Sequence, residues 1–126
     1  MMKQDKFSQL LGMKISKTGL GVCHVELMVR EDMVNGFGIA HGGITYSLAD
    51  SAFAFACNSY GEVAVSIETS ISHIARVSVG DVLLAKARMI SRSRKLGIYE
   101  VEVYNKAKVL VAFFKGTCYH TGKFHN

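Results

Sequence analysis

The chain has 126 residues, nearly half of them apolar and a fifth charged, which excludes a disordered protein and predicts one globular domain over residues 1–126. At that length roughly two thirds of the unfolded surface is buried on folding, so no disulfide or metal staple is required. The formal net charge of +5 suits an anionic partner, but it is too small and too dispersed to indicate nucleic acid. The opening Met1-Met2-Lys3-Gln4-Asp5-Lys6 lacks the apolar run of a secretion signal, and no apolar stretch reaches bilayer length. A cytoplasmic protein with no membrane partner is expected.

In chain order, a short amphipathic helix is predicted around Phe7, Leu10 and Leu11. From Val22 to Arg30, Cys23, Val25, Leu27 and Val29 alternate with His24, Glu26 and Arg30, the period of a strand. Residues 31–39, with Gly36 and Gly38, read as a loop. The stretch from Gly42 to Asn58 is rich in alanine, apolar on nearly every face and about four turns long. A helix without a wet face belongs inside something. After Tyr60-Gly61 the pattern is strand-like: Val63, Val65, Ile67, Thr69 and Ile71 alternate with Ser66, Glu68 and Ser70. Gly80-Asp81 makes a turn into a strand that ends near Ser91, and residues 92–95 form a polar connection. Ile98, Glu100, Glu102 and Tyr104 then alternate with Tyr99, Val101 and Val103. A turn at 105–108 leads to a last strand from Val109 to Tyr119, with residues 122–126 read as a frayed tail. There is no proline, repeat or linker. Short turns favour antiparallel pairing, and one long sheet curled around one apolar helix buries everything: an α+β fold.

Asp50 stands out. It lies mid-helix among alanines and phenylalanines, where a carboxylate is expensive unless it is paired or used. Either it bonds to neighbouring hydroxyls such as Tyr46, Ser47 or Ser51, or it does chemistry. The segment before it, Asn35-Gly36-Phe37-Gly38-Ile39-Ala40-His41-Gly42-Gly43, bears on that choice. Glycines at a helix start let a ligand approach the backbone. The first turn offers free N–H groups and the positive end of the helix dipole, which suit an oxygen gaining negative charge. Asn35 and His41 add side-chain donors. Gly42 and Asp50, eight positions apart, are separated by roughly 12 Å along one helix, at about 1.5 Å per residue. They meet at one reacting carbon only if two copies pack their helices antiparallel, so a catalytic reading requires a dimer with paired interfacial sites.

From Asn35 to Ser59, Asn-Gly-Phe-Gly-Ile-Ala-His-Gly-Gly-Ile-Thr-Tyr-Ser-Leu-Ala-Asp-Ser-Ala-Phe-Ala-Phe-Ala-Cys-Asn-Ser resembles the signature of the PaaI family of hot-dog-fold thioesterases. The likeness continues more weakly through Gly80-Asp81, Lys95-Leu96-Gly97-Ile98-Tyr99 and Phe113-Phe114-Lys115-Gly116. It departs at Arg76-Val77, where relatives usually carry Arg-Pro. The resemblance implies a hot-dog fold, in which a curved antiparallel sheet wraps a central helix. It also implies hydrolysis of an acyl-CoA thioester, with aryl or medium-chain acyl groups, in a homotetramer of two dimers. In such enzymes the residue matching Asp50 is general base or nucleophile, and the amide matching Gly42 polarises the thioester carbonyl from the facing subunit. Residues matching Asn35 and His41 orient the thioester or the attacking water, Gly43 belongs to the same approach, and Ser66 falls where some relatives place a water-positioning hydroxyl. No cofactor is implied, since coenzyme A is part of the substrate.

Arg92-Ser93-Arg94-Lys95 is either a solvated turn or, through Arg92, Arg94 and Lys95, a contact for the coenzyme A phosphates. His73, His120 and His125 lack ligand spacing, and no metal site is expected. Cys23, Cys57 and Cys118 form no Cys-x-x-Cys pair and read as free buried thiols. Gly36-Phe37-Gly38 does not continue into a dinucleotide fingerprint, and no Gly-x-Ser-x-Gly elbow is present. Two other readings stand beside hydrolysis: a hydratase or dehydratase on the same fold, and a non-catalytic acyl-CoA sensor.

Overall fold

A computed structural model covers residues 1–126. Six strands form one antiparallel sheet in the order β1-β2-β4-β5-β6-β3. They are β1 (Lys14–Gly19), β2 (Val22–Met28), β3 (Glu62–His73), β4 (Val82–Arg92), β5 (Leu96–Tyr104) and β6 (Leu110–Phe124). The helix α2 (Gly42–Cys57) packs across strands β2 to β6, and its sheet-facing residues Leu48, Ala49, Ala52, Phe53 and Ala56 are wholly buried. Alanine at these positions lets the helix sit close to the sheet, while Phe53 fills the centre. Its ring meets those of Tyr99 and Phe114, each at 5.7 Å between centroids. Phe53 in turn demands glycine at 116, because a Cβ there would lie 2.8 Å from the ring. The three cysteines are free and buried, as the sequence predicts.

The inner face of the sheet follows the period-2 pattern on β2, where Cys23, Val25 and Leu27 are buried, and on β5, where Tyr99, Val101 and Val103 are buried. The other strands bring corrections. Strand β1 has every residue exposed, so it carries no burial pattern to read. On β3 the predicted apolar face splits, because the register with β6 shifts between Ser66 and Glu68. Ahead of this bulge Ala64 points inward opposite His120, and Ser66 shares its parity opposite Cys118; beyond it Thr69 and Ile71 face the helix. Val65 and Ile67 are therefore left 47% and 57% exposed on an edge strand. The residues expected to fray instead belong to β6, which pairs with β3 out to Phe124; beyond the strand, the His125 N–H donates to the Gly61 carbonyl at 2.8 Å.

At the other end of the chain, α1 (Lys6–Leu10) turns Ser8 and Leu11 inward and leaves Phe7 and Leu10 exposed, the reverse of an amphipathic reading for those two. Asp5 caps α1, its carboxylate accepting the Ser8 N–H at 2.9 Å. Between β3 and β4, Val77 is buried, and its carbonyl accepts the Ala40 N–H at 2.8 Å just ahead of α2. Nothing in the chain accepts the Val77 N–H, so the position where the family resemblance implies proline makes no use of that donor.

Candidate active site

The start of α2 is assembled from the loop before it. Asn35 makes an Asx turn, its Oδ1 accepting the Phe37 N–H at 2.8 Å while its backbone N–H donates to the Ile39 carbonyl. That bond leaves the side-chain NH₂ of Asn35 free to donate. A bridge between Val34 and Ala40 closes the loop, and the His41 N–H donates to the Met33 carbonyl at 2.8 Å. His41 is the N-cap: its Nδ1 accepts the Gly43 N–H at 2.8 Å. A ring nitrogen that accepts carries no proton, so the imidazole proton sits on Nε2, and His41 donates outward from there.

The Gly43 N–H is thus occupied, and the free donor of this turn is the Gly42 N–H, which has no acceptor in the chain. Position 42 is also overlaid by a side chain from the sheet. A Cβ on Gly42 would lie 3.2 Å from Nε2 of His73, at the end of β3. His73 had no signal in the sequence that tied it to this site; the contact joins residues 31 positions apart and comes from the packing of β3 along α2.

Asp50 lies two turns further on, half-buried, and no group in the chain donates to its carboxylate. The hydroxyls around it are engaged elsewhere: Tyr46 with Thr69 at 2.6 Å, Ser47 with the Gly43 carbonyl at 2.6 Å, and Ser51 with Ser8 at 2.8 Å. None of these hydroxyls donates to Asp50 within the chain. Burial, and secondarily the carboxylate of Asp5, pushes the Asp50 carboxyl above the usual carboxylate range. Around it runs a helical stripe of small and polar residues, Gly43, Ser47, Asp50, Ser51 and Ala54, none of them fully covered.

Ser66, on the inward parity of β3, makes no hydrogen bond and lies across from Cys118. Arg92, Arg94 and Lys95 gather at the β4–β5 hairpin, beside the C-terminal end of α2. Within one protomer they are remote from Gly42, roughly a 16-residue helix away at about 1.5 Å per residue. Arg92 is engaged, 3.6 Å from the Glu62 carboxylate and stacked 4.2 Å over the Tyr60 ring. Lys95 lies 5.8 Å from the Tyr119 ring centroid, and the Arg94 side chain is exposed. Two clefts lie at the two ends of α2. One of about 340 Å³ lies at the helix start between Phe7, Val34, His41, Gly43, Ile44 and Ser47. The larger, of about 680 Å³ and mostly apolar, lies at the C-terminal end of α2 between Met2, Ile15, Leu20 and Phe55, and Asp50 does not line it.

A curved antiparallel sheet around one helix, with a lone carboxylate on that helix and an open helix terminus, is the hot-dog arrangement of a thioester hydrolase. The sequence model of the thioesterase superfamily matches residues 37–112, and the chain belongs to that family. Among its relatives, the chain is 35% identical to the acyl-coenzyme A thioesterase PaaI of Escherichia coli K12, over 97% of this chain and 87% of that one. The solved structure of the E. coli PaaI protein, from the phenylacetic acid degradation operon, superposes with a TM-score of 0.96 at 34% identity, covering 98% of this chain and 89% of that one. A putative esterase of Archaeoglobus fulgidus is 39% identical over 98% of this chain and 80% of its own. A Streptococcus mutans protein bound to acetyl CoA superposes with a TM-score of 0.86 at 29% identity, covering 90% of this chain and 91% of that one. No helix here is long and apolar enough to cross a membrane.

Proposed function

We propose that the protein hydrolyses aryl- or medium-chain acyl-CoA thioesters to the free acid and CoA at sites shared between two copies of the chain. The observation that carries this reading is the carboxylate of Asp50: half-buried, raised in its proton affinity, and left without a donor while every neighbouring hydroxyl is engaged. As general base, Asp50 takes a proton from water as the water oxygen attacks the thioester carbon. As nucleophile, its own oxygen attacks to give a mixed anhydride that water opens. Either route puts negative charge on the carbonyl oxygen, and the unpaired Gly42 N–H at the positive end of α2 is built to receive it. Collapse expels CoA as the thiolate. Water and thioester supply every reacting atom, so the chemistry calls for no cofactor.

Asp50 and Gly42 lie too far apart on one helix to share a carbon, so the Gly42 amide comes from the facing copy. The outer edge of β3 supports such pairing. It is twelve residues long, unpaired on one side, and exposes Val65 and Ile67, features that sheet edges left in water avoid. In an antiparallel pair the free Nδ2 of Asn35 and the Nε2–H of His41 stand beside the partner's carboxylate site, placed to orient thioester or water. Ser66 is the hydroxyl available from β3, and Arg94 and Lys95 offer charge to the CoA phosphates. Similarity to a protein bound to acetyl CoA supports the CoA portion, and similarity to PaaI of the phenylacetic acid degradation operon supports an aryl group.

Thiol release over a panel of acyl-CoAs tests the reading. The expected result is turnover by the wild type with aryl or medium chains preferred, and turnover by Asp50→Asn lowered about 100-fold or more at unchanged oligomeric state. Binding of acyl-CoA by the wild type without thiol release would replace hydrolysis with a sensor function.

A further inference from the structure

The network beside Asp50 begins outside α2, at the N-terminal segment. Asp5 accepts twice from Ser8, at Oδ1 from the backbone N–H (2.9 Å) and at Oδ2 from the hydroxyl (2.7 Å). A carboxylate only accepts, so the single hydroxyl proton of Ser8 is committed to Asp5. The Ser8 oxygen is 2.8 Å from that of Ser51. With the Ser8 proton spent, this bond has one polarity: the Ser51 hydroxyl donates to Ser8. The chain Ser51 → Ser8 → Asp5 is therefore directional, and Ser8 within it is completely buried. It draws the proton of the hydroxyl next to Asp50 away from Asp50 and toward a second carboxylate.

An N-cap alone requires only the Asp5–Ser8 bond. The further link to Ser51, 43 residues away on the helix that carries the proposed base, is what a cap does not need. We propose that Asp5 is a positioning residue of the hydrolytic site: through Ser8 it orients Ser51 away from Asp50 and holds a second negative charge beside it. The inference rests on the hydrolytic reading above and extends it to a residue at the start of the chain. Its physical effect is to keep Asp50 unpaired and to make ionisation of Asp50 harder, since like charges oppose each other.

The other ionisable groups around α2 do not substitute for Asp5. The N-terminal segment otherwise carries Lys3 and Lys6, both exposed. The helix carries Tyr46, bonded to Thr69, and Cys57, whose thiol is pushed up by its hydrogen bond with Cys118 and by burial. The inner face of the sheet contributes Cys23 from β2, Tyr99 from β5, and Cys118 and His120 from β6, while β4 contributes none; β3 carries Glu62, Glu68 and His73. Of all these, Asp5 is the charge that acts on Asp50.

Asp5→Asn keeps the N-cap, because asparagine caps as well as aspartate, but it removes the charge and, with an NH₂ in place of one oxygen, the acceptor that fixes the Ser8 proton, so it removes both effects together. Removing a like charge makes Asp50 easier to ionise, so the acidic limb of the kcat/KM profile moves to lower pH and the variant outruns the wild type at the acidic end. Ser51→Ala keeps Asp5 and the cap but cuts the link; kcat falls severalfold with KM unchanged. Carbon-detected NMR titration of the Asp50 carboxyl reads the same shift in Asp5→Asn without any turnover. Folded Asp5→Asn whose pH profile and Asp50 titration both superpose on the wild type overturns the proposal. If the wild type releases no thiol at all, the hydrolytic reading fails instead, and the NMR titration still decides whether Asp5 acts on Asp50.

Discussion

The two ends of α2 are built in opposite ways. At the C-terminal end the side chains of Asn58 and Ser59 are fully engaged. Asn58 donates to the carbonyls of Ala54 (2.9 Å) and Ala64 (3.1 Å), and its Oδ1 accepts from the Ala64 N–H (3.0 Å) and lies 2.7 Å from Nε2 of His125. Ser59 donates to the Ala56 carbonyl and accepts the Gly21 N–H at 2.7 Å. At the N-terminal end the Gly42 N–H has no acceptor, His41 spends one ring nitrogen on its own turn, and Asp50, two turns in, has no donor. Saturated polar groups anchor a fold; unsaturated ones, held rigidly by it, are available to a ligand. On the function proposed above, the asymmetry gives stability to one end of the helix and chemistry to the other.

The largest effect that tests this division is on rate. Asp50→Asn keeps size and removes charge, and it lowers kcat about 100-fold or more, the range expected when a general base is lost. Steady-state thiol release measures it, and near-wild-type turnover would break the division at once. Next comes its mirror image at the anchored end. Asn58→Ala deletes the group that ties α2 to β3 and to the C-terminal segment, leaving the Ala64 N–H without its partner. We expect a loss of about 2–3 kcal/mol in urea unfolding, with kcat per folded molecule unchanged. A variant that unfolds like the wild type, or that loses activity without losing stability, would erase the contrast.

Local chemistry accounts for what was legible in the sequence. A charged residue inside an apolar helix and a glycine pair at its start are features of neighbouring residues, so Asp50, Gly42, Asn35 and His41 could be named as candidates before any coordinates. β2 and β5 were readable because one face of each is buried and the other is wet. What escaped depends on contacts distant in sequence. The bulge after Ser66 moves Val65 and Ile67 to the outer surface, and no period-2 pattern can announce a residue inserted against a partner strand. The final residues are strand because β3 lies beside them, not because of their own composition. His73 and Asp5 join the site from 31 and 45 positions away along the chain, through tertiary packing alone.

A smaller effect sharpens the picture at Gly42. Alanine there keeps the N–H but places a Cβ 3.2 Å from His73. The fall in kcat/KM is about tenfold if the methyl also crowds the approaching thioester, roughly 1.4 kcal/mol. Pairing it with His73→Ala separates the causes. Recovery in the double variant means that the imidazole contact was responsible. Persistent loss means that the backbone at 42 must stay bare for the substrate, the outcome predicted for an oxyanion donor.

The smallest effect concerns stability and pH. In the folded chain burial and Asp5 raise the Asp50 carboxyl above its ordinary value, so native protein holds that proton more tightly than unfolded protein does. Below the ordinary carboxylate value both states are protonated, and the stabilisation from this group is fully present. It is lost as pH rises through the native value, and at neutral pH the ionised Asp50 burdens the fold. In the proposed dimer a facing helix terminus would pull the other way, by about 0.3–2 kcal/mol. Pairing also removes more water from the carboxylate, and the effective cost of dehydrating an ion reaches several kcal/mol, so the upward shift prevails. Asp50→Asn, which cannot ionise, therefore unfolds at higher urea than the wild type at neutral pH, and the gap narrows on acidification. A gap that stays constant across that window would show that the facing helix terminus neutralises Asp50 in the assembled site, and the inactive variant would then gain nothing from losing its charge.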